Sequence, residues 1–340
     1  MRASFGRGTL AIGVGLASLV LVPMAPTSAA AEAVPAETVI SAEDYDRAKA
    51  KAASTPDTSA ERRIEAQFLE DAAVDHGNTY TRAEVEVVDL GPAFIAGPVD
   101  LDVKEIVIAE SGDDATVEVA ADLNPGTIDA QAPSSGSAEY ATVAGGSYRI
   151  VVKGVGDAIF TWEKAKRKDE KDKQKDYWAY AREANGEPYA VKNWPNPRVS
   201  NLYIRNYPTQ STYSKLRTWE ANSQPAADFK GDCNESPMTI SLGAGGAGVE
   251  MSFRDCASND VSRNSSVPGE MRIEMDQGSF VLQAGNIGTG YIASFSTKQG
   301  EVPYFNDQQR VTFRKYAVPA AWGPGGPSQT CEHTNGNRTC

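Results

Sequence analysis

The chain has 340 residues, 41% of them hydrophobic, and 45 acids against 33 bases give a net charge of −12 at pH 7. That length supports a sizeable core, more in keeping with two domains than one. The acidic balance argues against general nucleic-acid binding, and two histidines leave little material for histidine-based catalysis.

The first 31 residues read as a secretion signal. Arg2 and Arg7 precede an uncharged apolar run, Leu10 to Val22, and Ala29-Ala30-Ala31 supplies small residues for cleavage. The run is about 13 residues, short of the roughly 20 that a spanning helix needs. An extracellular chain with no integral membrane association is therefore expected; removing residues 1–31 takes two arginines and no acids, shifting −12 to −14.

Residues 32–40 read as a loose terminus. Ser41 and Asp44 have the spacing of a helix cap, opening a helix to about Ala53. Thr55-Pro56-Asp57 breaks it, and a second helix runs from Thr58 or Ser59 to Asp75, stopping at Gly77. Its stripe of Ile64, Phe68, Leu69 and Ala72 must pack on something. From Glu84 the period becomes two: Val85/Val87, Leu101/Val103, Ile106/Ile108 and Val117/Val119, separated by Gly91-Pro92, Gly97-Pro98 and Gly112-Asp113-Asp114. Residues 122–139 read as a loop or linker. The expected architecture is an α+β N-terminal region over 32–139, which could equally be a pro-region, followed by a mainly antiparallel all-β domain over 140–318. That domain should be a sandwich or a partly closed barrel. A Pro/Gly-rich tail with a disulfide loop, 319–340, completes the chain.

Residues 232–256 carry the clearest local signal. Met238, Ile240 and Leu242 alternate before a glycine run, and Val249, Met251 and Phe253 alternate after it. Folding about the glycines sets Met238 opposite Phe253 and Ile240 opposite Met251, an antiparallel hairpin with one buried face. Cys233 and Cys256 then lie near its open end, within reach of a disulfide, leaving Cys331 with Cys340. An oxidising compartment favours disulfides over zinc, and neither pair has zinc-ligand spacing. Gly243 to Gly248 has the spacing G-x-G-x-x-G, but a strand follows where a dinucleotide site needs a helix. No cofactor and no metal are expected.

Catalytic patterns are thin. There is no G-x-S-x-G elbow and no H-E-x-x-H helix. Acid pairs that could serve a glycosidase are Asp100/Asp102, Asp232/Asp255 and Glu270/Glu274, and nothing elevates one of them. The charged run from Glu163 to Asp176 reads as a solvated hairpin tip or exposed helix, or else as a basic finger for a polyanion. Aromatic residues concentrate between Tyr177 and Trp219. Within that stretch Leu202 and Ile204 claim an inward face, which sends Tyr203, Arg205 and Tyr207 outward together. Flat rings beside a guanidinium can stack on sugars or clamp an anionic group; Trp194 and Trp219 are added as candidates.

The leading expectation is a secreted, non-catalytic binding protein for a surface polysaccharide, a cell-wall polymer or a partner protein. A carboxylate-pair hydrolase and a β-type membrane-active toxin are the alternatives.

Overall fold

The structure is a computed structural model describing residues 36–74, 79–111, 114–122, 140–168, 173–189, 198–219, 230–231, 238–241, 250–253, 259–263, 270–276, 287–314, 332–334 and 337–339. Residues 1–31, read as a secretion signal, residues 243–248, read as a glycine turn, Trp194 and all four cysteines lie outside these residues.

The chain begins with strand β1 (Ala36–Ser41) and helices α1 (Ala42–Ser54) and α2 (Ser59–Val74). Four strands follow: β2 (Val85–Asp89), β3 (Ala93–Pro98), β4 (Asp102–Ser111) and β5 (Asp114–Asp122). The long strands are β6 (Tyr140–Val152), β7 (Gly156–Arg167), β8 (Lys175–Pro188) and β9 (Arg198–Pro208). A short helix α3 (Gln210–Tyr213) leads to β10 (Leu216–Trp219), β11 (Lys230–Gly231), β12 (Met238–Ser241) and β13 (Glu250–Phe253). Then come β14 (Asn259–Arg263), β15 (Met271–Asp276), β16 (Ile287–Lys298) and β17 (Phe305–Arg314), with β18 (Glu332–Thr334) and β19 (Asn337–Thr339) last.

Beside two two-stranded sheets, β12-β13 and β18-β19, two large antiparallel sheets result. One has eight strands in the order β1-β4-β5-β17-β9-β15-β14-β11, the other seven in the order β10-β16-β8-β7-β6-β3-β2. Their inner faces share one core: Ile106, Val117, Leu202, Ile273 and Val311 from the first meet Ile95, Ile150, Phe160, Ala184 and Tyr291 from the second. Each such side chain contributes roughly 1.5–3 kcal/mol by leaving water. The described strands form a sandwich and no closed barrel. No helix among the described residues is long and apolar enough to cross a membrane.

The alternation of β5 and β17, buried and half-buried by turns, is that of strands with one face on the core. Strand β3 is buried at every position because α2 lies over its outer face. The helix sets Ile64, Phe68 and Ala72 on Phe94, Ala96, Val151 and Ile159, the packing its apolar stripe requires. Its start is capped reciprocally: the Glu61 N–H donates to Thr58 Oγ1 (3.2 Å) and the Thr58 N–H to Glu61 Oε2 (2.6 Å). Helix α1 is capped by Ser41, whose Oγ accepts from the Asp44 N–H, and it sends Tyr45 into the main core.

Several expectations are corrected. The terminus read as loose contains β1, paired with β4 from Ala36↔Glu110 to Ser41↔Glu105. Gly97-Pro98 ends a strand, β3, that the glycine-proline punctuation disguised. Leu101/Val103 and Ile106/Ile108 do not mark two strands. Val103, Ile106 and Ile108 belong to β4, where a register shift between Val103 and Glu105 moves the inward positions from odd to even. The charged run is a hairpin tip, with β7 reaching Arg167 and β8 starting at Lys175, but its first two residues are not solvated: Glu163 is 6% exposed and Lys164 2%. Strands from residues 36–122 and from 140–314 enter both sheets. The β12–β13 hairpin has the expected register, Met238↔Phe253 and Ile240↔Met251.

Candidate functional site: the outer face of the eight-stranded sheet

Because Leu202 and Ile204 face the core, Tyr203, Arg205 and Tyr207 share the opposite face of β9. Strand pairing brings them partners that are remote in sequence. Arg310 on β17 lies directly opposite Tyr203, and Gln308 opposite Arg205; on the other side Glu274 of β15 faces Tyr203 and Arg272 faces Arg205.

Two guanidinium–ring stacks organise the face. Arg310 Cζ sits 4.8 Å from the Tyr203 ring centroid, and Arg205 Cζ sits 4.9 Å from that of Tyr207. Each guanidinium is also tied to carboxylates. Arg310 Nη2 donates to Glu274 Oε1 at 2.7 Å, its Nε donates to Asn201 Oδ1 at 3.3 Å, and Glu118 lies 3.8 Å from Nη1. Arg205 Nε donates to Glu270 Oε1 at 3.0 Å. The stacks leave Tyr203 only 9% exposed, and burial raises its hydroxyl pKa. Tyr207 stays half-buried, and the Arg205 and Arg310 side chains keep 35% and 30% of their surface. The face is a flat lattice of rings and guanidiniums, with Arg205, Arg272 and Arg310 balanced by Glu118, Glu270 and Glu274.

The other sequence candidates are not brought here. Trp219 is in β10, at the edge of the seven-stranded sheet, and pairs with Phe295. Of the acid pairs, Glu270 and Glu274 each hold an arginine, Asp102 is bonded to Lys104, and Asp232/Asp255 lie outside the described residues. Among the described residues no three of His, Cys, Asp and Glu cluster as metal ligands. Arg310, Arg272, Gln308, Glu118 and Asn201 are the members of the lattice that sequence reasoning missed. Val311 and Phe313 are alternate apolar residues, which by strand parity sends Arg310 to the other face, but which strand it would meet is not local information.

A second polar group lies between the sheets. Arg182 on β8 donates to both oxygens of Asp307 on β17, at 2.5 and 3.0 Å, with both residues at most 1% exposed. Tyr148 donates to Gln309 Oε1 at 2.5 Å and Tyr291 to Asn206 Oδ1. Burial pushes the Asp307 carboxyl up, and the Arg182 guanidinium pulls it back. Lys164 completes this layer, its Nζ 5.7 Å from the Trp178 ring centroid and 5.5 Å from that of Tyr304.

A groove of 560 Å³ lies between the two long helices and β2. Its charged wall is internally satisfied, Glu65 taking Arg82 at 2.7 and 2.9 Å. No protein-family model matches the chain, and no curated protein or solved structure matches it significantly.

Proposed function

We propose that the protein is an exported, non-catalytic binding module that receives an extracellular polymer on the outer face of its eight-stranded sheet. The observation that carries this reading is the pair of stacked ring–guanidinium units, Tyr203–Arg310 and Tyr207–Arg205, on one sheet face. Helix α2 is spent on the other sheet. Stacked planes with fixed donors suit the flat faces and hydroxyls of sugars. The charge balance of the face favours a neutral polysaccharide over a polyanion, because both ring-stacked guanidiniums already hold carboxylates, Arg205 that of Glu270 and Arg310 that of Glu274.

Tyr207 is the residue to change, since it is half-buried and no apolar cluster depends on it. Electrophoresis through gels containing soluble glycans, and sedimentation with insoluble cell-wall polysaccharides, should show retention of the wild type. Tyr207→Ala should weaken that retention about tenfold, the value of one stacking contact of about 1.4 kcal/mol. Unchanged retention in Tyr207→Ala and Arg205→Ala would remove the face from consideration. A wild type that binds none of the polymers would overturn the polysaccharide reading itself.

A further inference from the structure

Among the described residues, Lys164 is the buried charged side chain to which the fold gives neither a hydrogen bond nor an ion pair. Its surroundings explain why. From β7 and β8 its neighbours are Lys166, Tyr180, Trp178 and Arg182, from β6 its strand partner is Ala144, and from the segment entering β17 comes Tyr304. Both carboxylates on the inner faces of β7, β8 and β17 are committed. Asp176 takes Lys166 at 2.9 Å and the Gly300 N–H at 2.8 Å, and Asp307 takes Arg182. The amine is left between two aromatic rings, with a guanidinium nearby and no counter-ion.

Both features penalise the ammonium form. Desolvation, with the Arg182 charge adding to it, lowers the Lys164 pKa to about 7. Desolvation beside a second cation is a recognised way of activating a lysine as a nucleophile, because it frees the nitrogen lone pair at neutral pH. Two of its neighbours reach solvent: Lys166, two residues on, keeps 36% of its side-chain surface, and Tyr304 is half-buried.

We propose that Lys164 is a carbonyl-reactive site that captures small aldehydes as a Schiff base at the rim between the two sheets. The neutral Nζ lone pair attacks the aldehyde carbon and forms the C–N bond, while the carbonyl π pair moves to oxygen and takes up a proton. The carbinolamine then loses its hydroxyl and a nitrogen-bound hydrogen as one water, leaving C=N. No oxidant or reductant is consumed. The ring walls of Trp178 and Tyr304 restrict the site to small aldehydes and keep water from the imine.

The test uses the intact protein with acetaldehyde, and cyanoborohydride as an added reductant that fixes any imine as an ethylamine. Peptide mass spectrometry then gives the initial rate at each lysine. At pH 7 Lys164 should be labelled at least about tenfold faster than Lys51 and Lys298, which are exposed. From pH 7 to 9 the Lys164 rate should change little, while that of a free lysine side chain, added as an N-acetyl-lysine standard, rises roughly tenfold per pH unit. A Lys164 that is unlabelled, or labelled no faster than Lys51 and Lys298 at pH 7, overturns the proposal.

Discussion

Arg182 and Lys164 sit near each other on the inner face of β7 and β8, and of the two only Arg182 has a carboxylate. Arg182 is matched by Asp307 in bidentate geometry, so its burial is largely compensated; removing either partner of such a pair typically costs about 3–5 kcal/mol. Lys164 has only ring faces, which recover a small part of its lost hydration. The consequence has a definite sign. Its folded pKa of about 7 lies below the value of 10.5 for an unperturbed lysine, so between those limits the unfolded chain binds a proton that the folded chain does not. Stability from this group therefore rises with pH across that window, and below pH 7 the penalty is complete. Lys164→Met, which keeps the volume and removes the charge, should stabilise the protein by on the order of 2–4 kcal/mol at pH 6. The gain should shrink steadily toward pH 10. Denaturant melts of both proteins at pH 6, 8 and 10 would show it, and a constant difference would place the cost of Lys164 in packing instead of charge.

Helix α2 is the element that makes the two sheets unlike. Its Phe68 is fully buried and stacks on Tyr80 at 5.6 Å between centroids. Tyr80 in turn accepts a hydrogen bond from the Ser147 N–H at 2.8 Å, and Asp71 is held by Arg149 of β6. Phe68→Ala should cost about 3–5 kcal/mol. Amide exchange should accelerate first in Ser59–Val74, before the strands beneath open. Much of this was legible in the sequence: the Ser41 cap and the stripe through Ile64 and Phe68 are local patterns, and so is the β12–β13 register. What was hidden depends on distant partners. Strand β1 is short and polar and exists because β4 lies beside it. Strand β3 looks like two turns because both of its faces are covered and no alternation remains. Arg310 could be placed on an outward face by parity, yet its contact with Tyr203 follows from pairing two strands far apart in sequence. Lys164 sat in a run whose composition pointed to solvent, and only the sheet above it shows otherwise.

At the scale of the molecule, the first third of the chain is structural to the rest. Strand β5 lies between β4 and β17, and β3 lies between β2 and β6, so both sheets are made of early and late segments. A chain consisting of residues 140–340 would lack the neighbours of β17 and β6 and would expose Val311, Phe313 and Ile150, all fully buried in the whole chain. It should express as an insoluble or molten product with no cooperative thermal transition. A sharp unfolding transition from that fragment would show that residues 36–122 are dispensable, as a removable pro-region requires.

The position of β17 also fixes an order of events. Its ten residues, Phe305–Arg314, hydrogen-bond to β5 on one side and to β9 on the other, and it is the only described strand joining β1, β4 and β5 to the remainder of their sheet. Pairing it with β5 means closing a loop of nearly two hundred residues, as the Thr116–Thr312 contact spans, which is slow and has no shorter substitute. Until this strand has emerged, the eight-stranded sheet exists as two fragments with open edges, and the core between the sheets cannot shut. The chain thus stays threadable for nearly its whole length, and its compact state is decided by one of the last strands to appear.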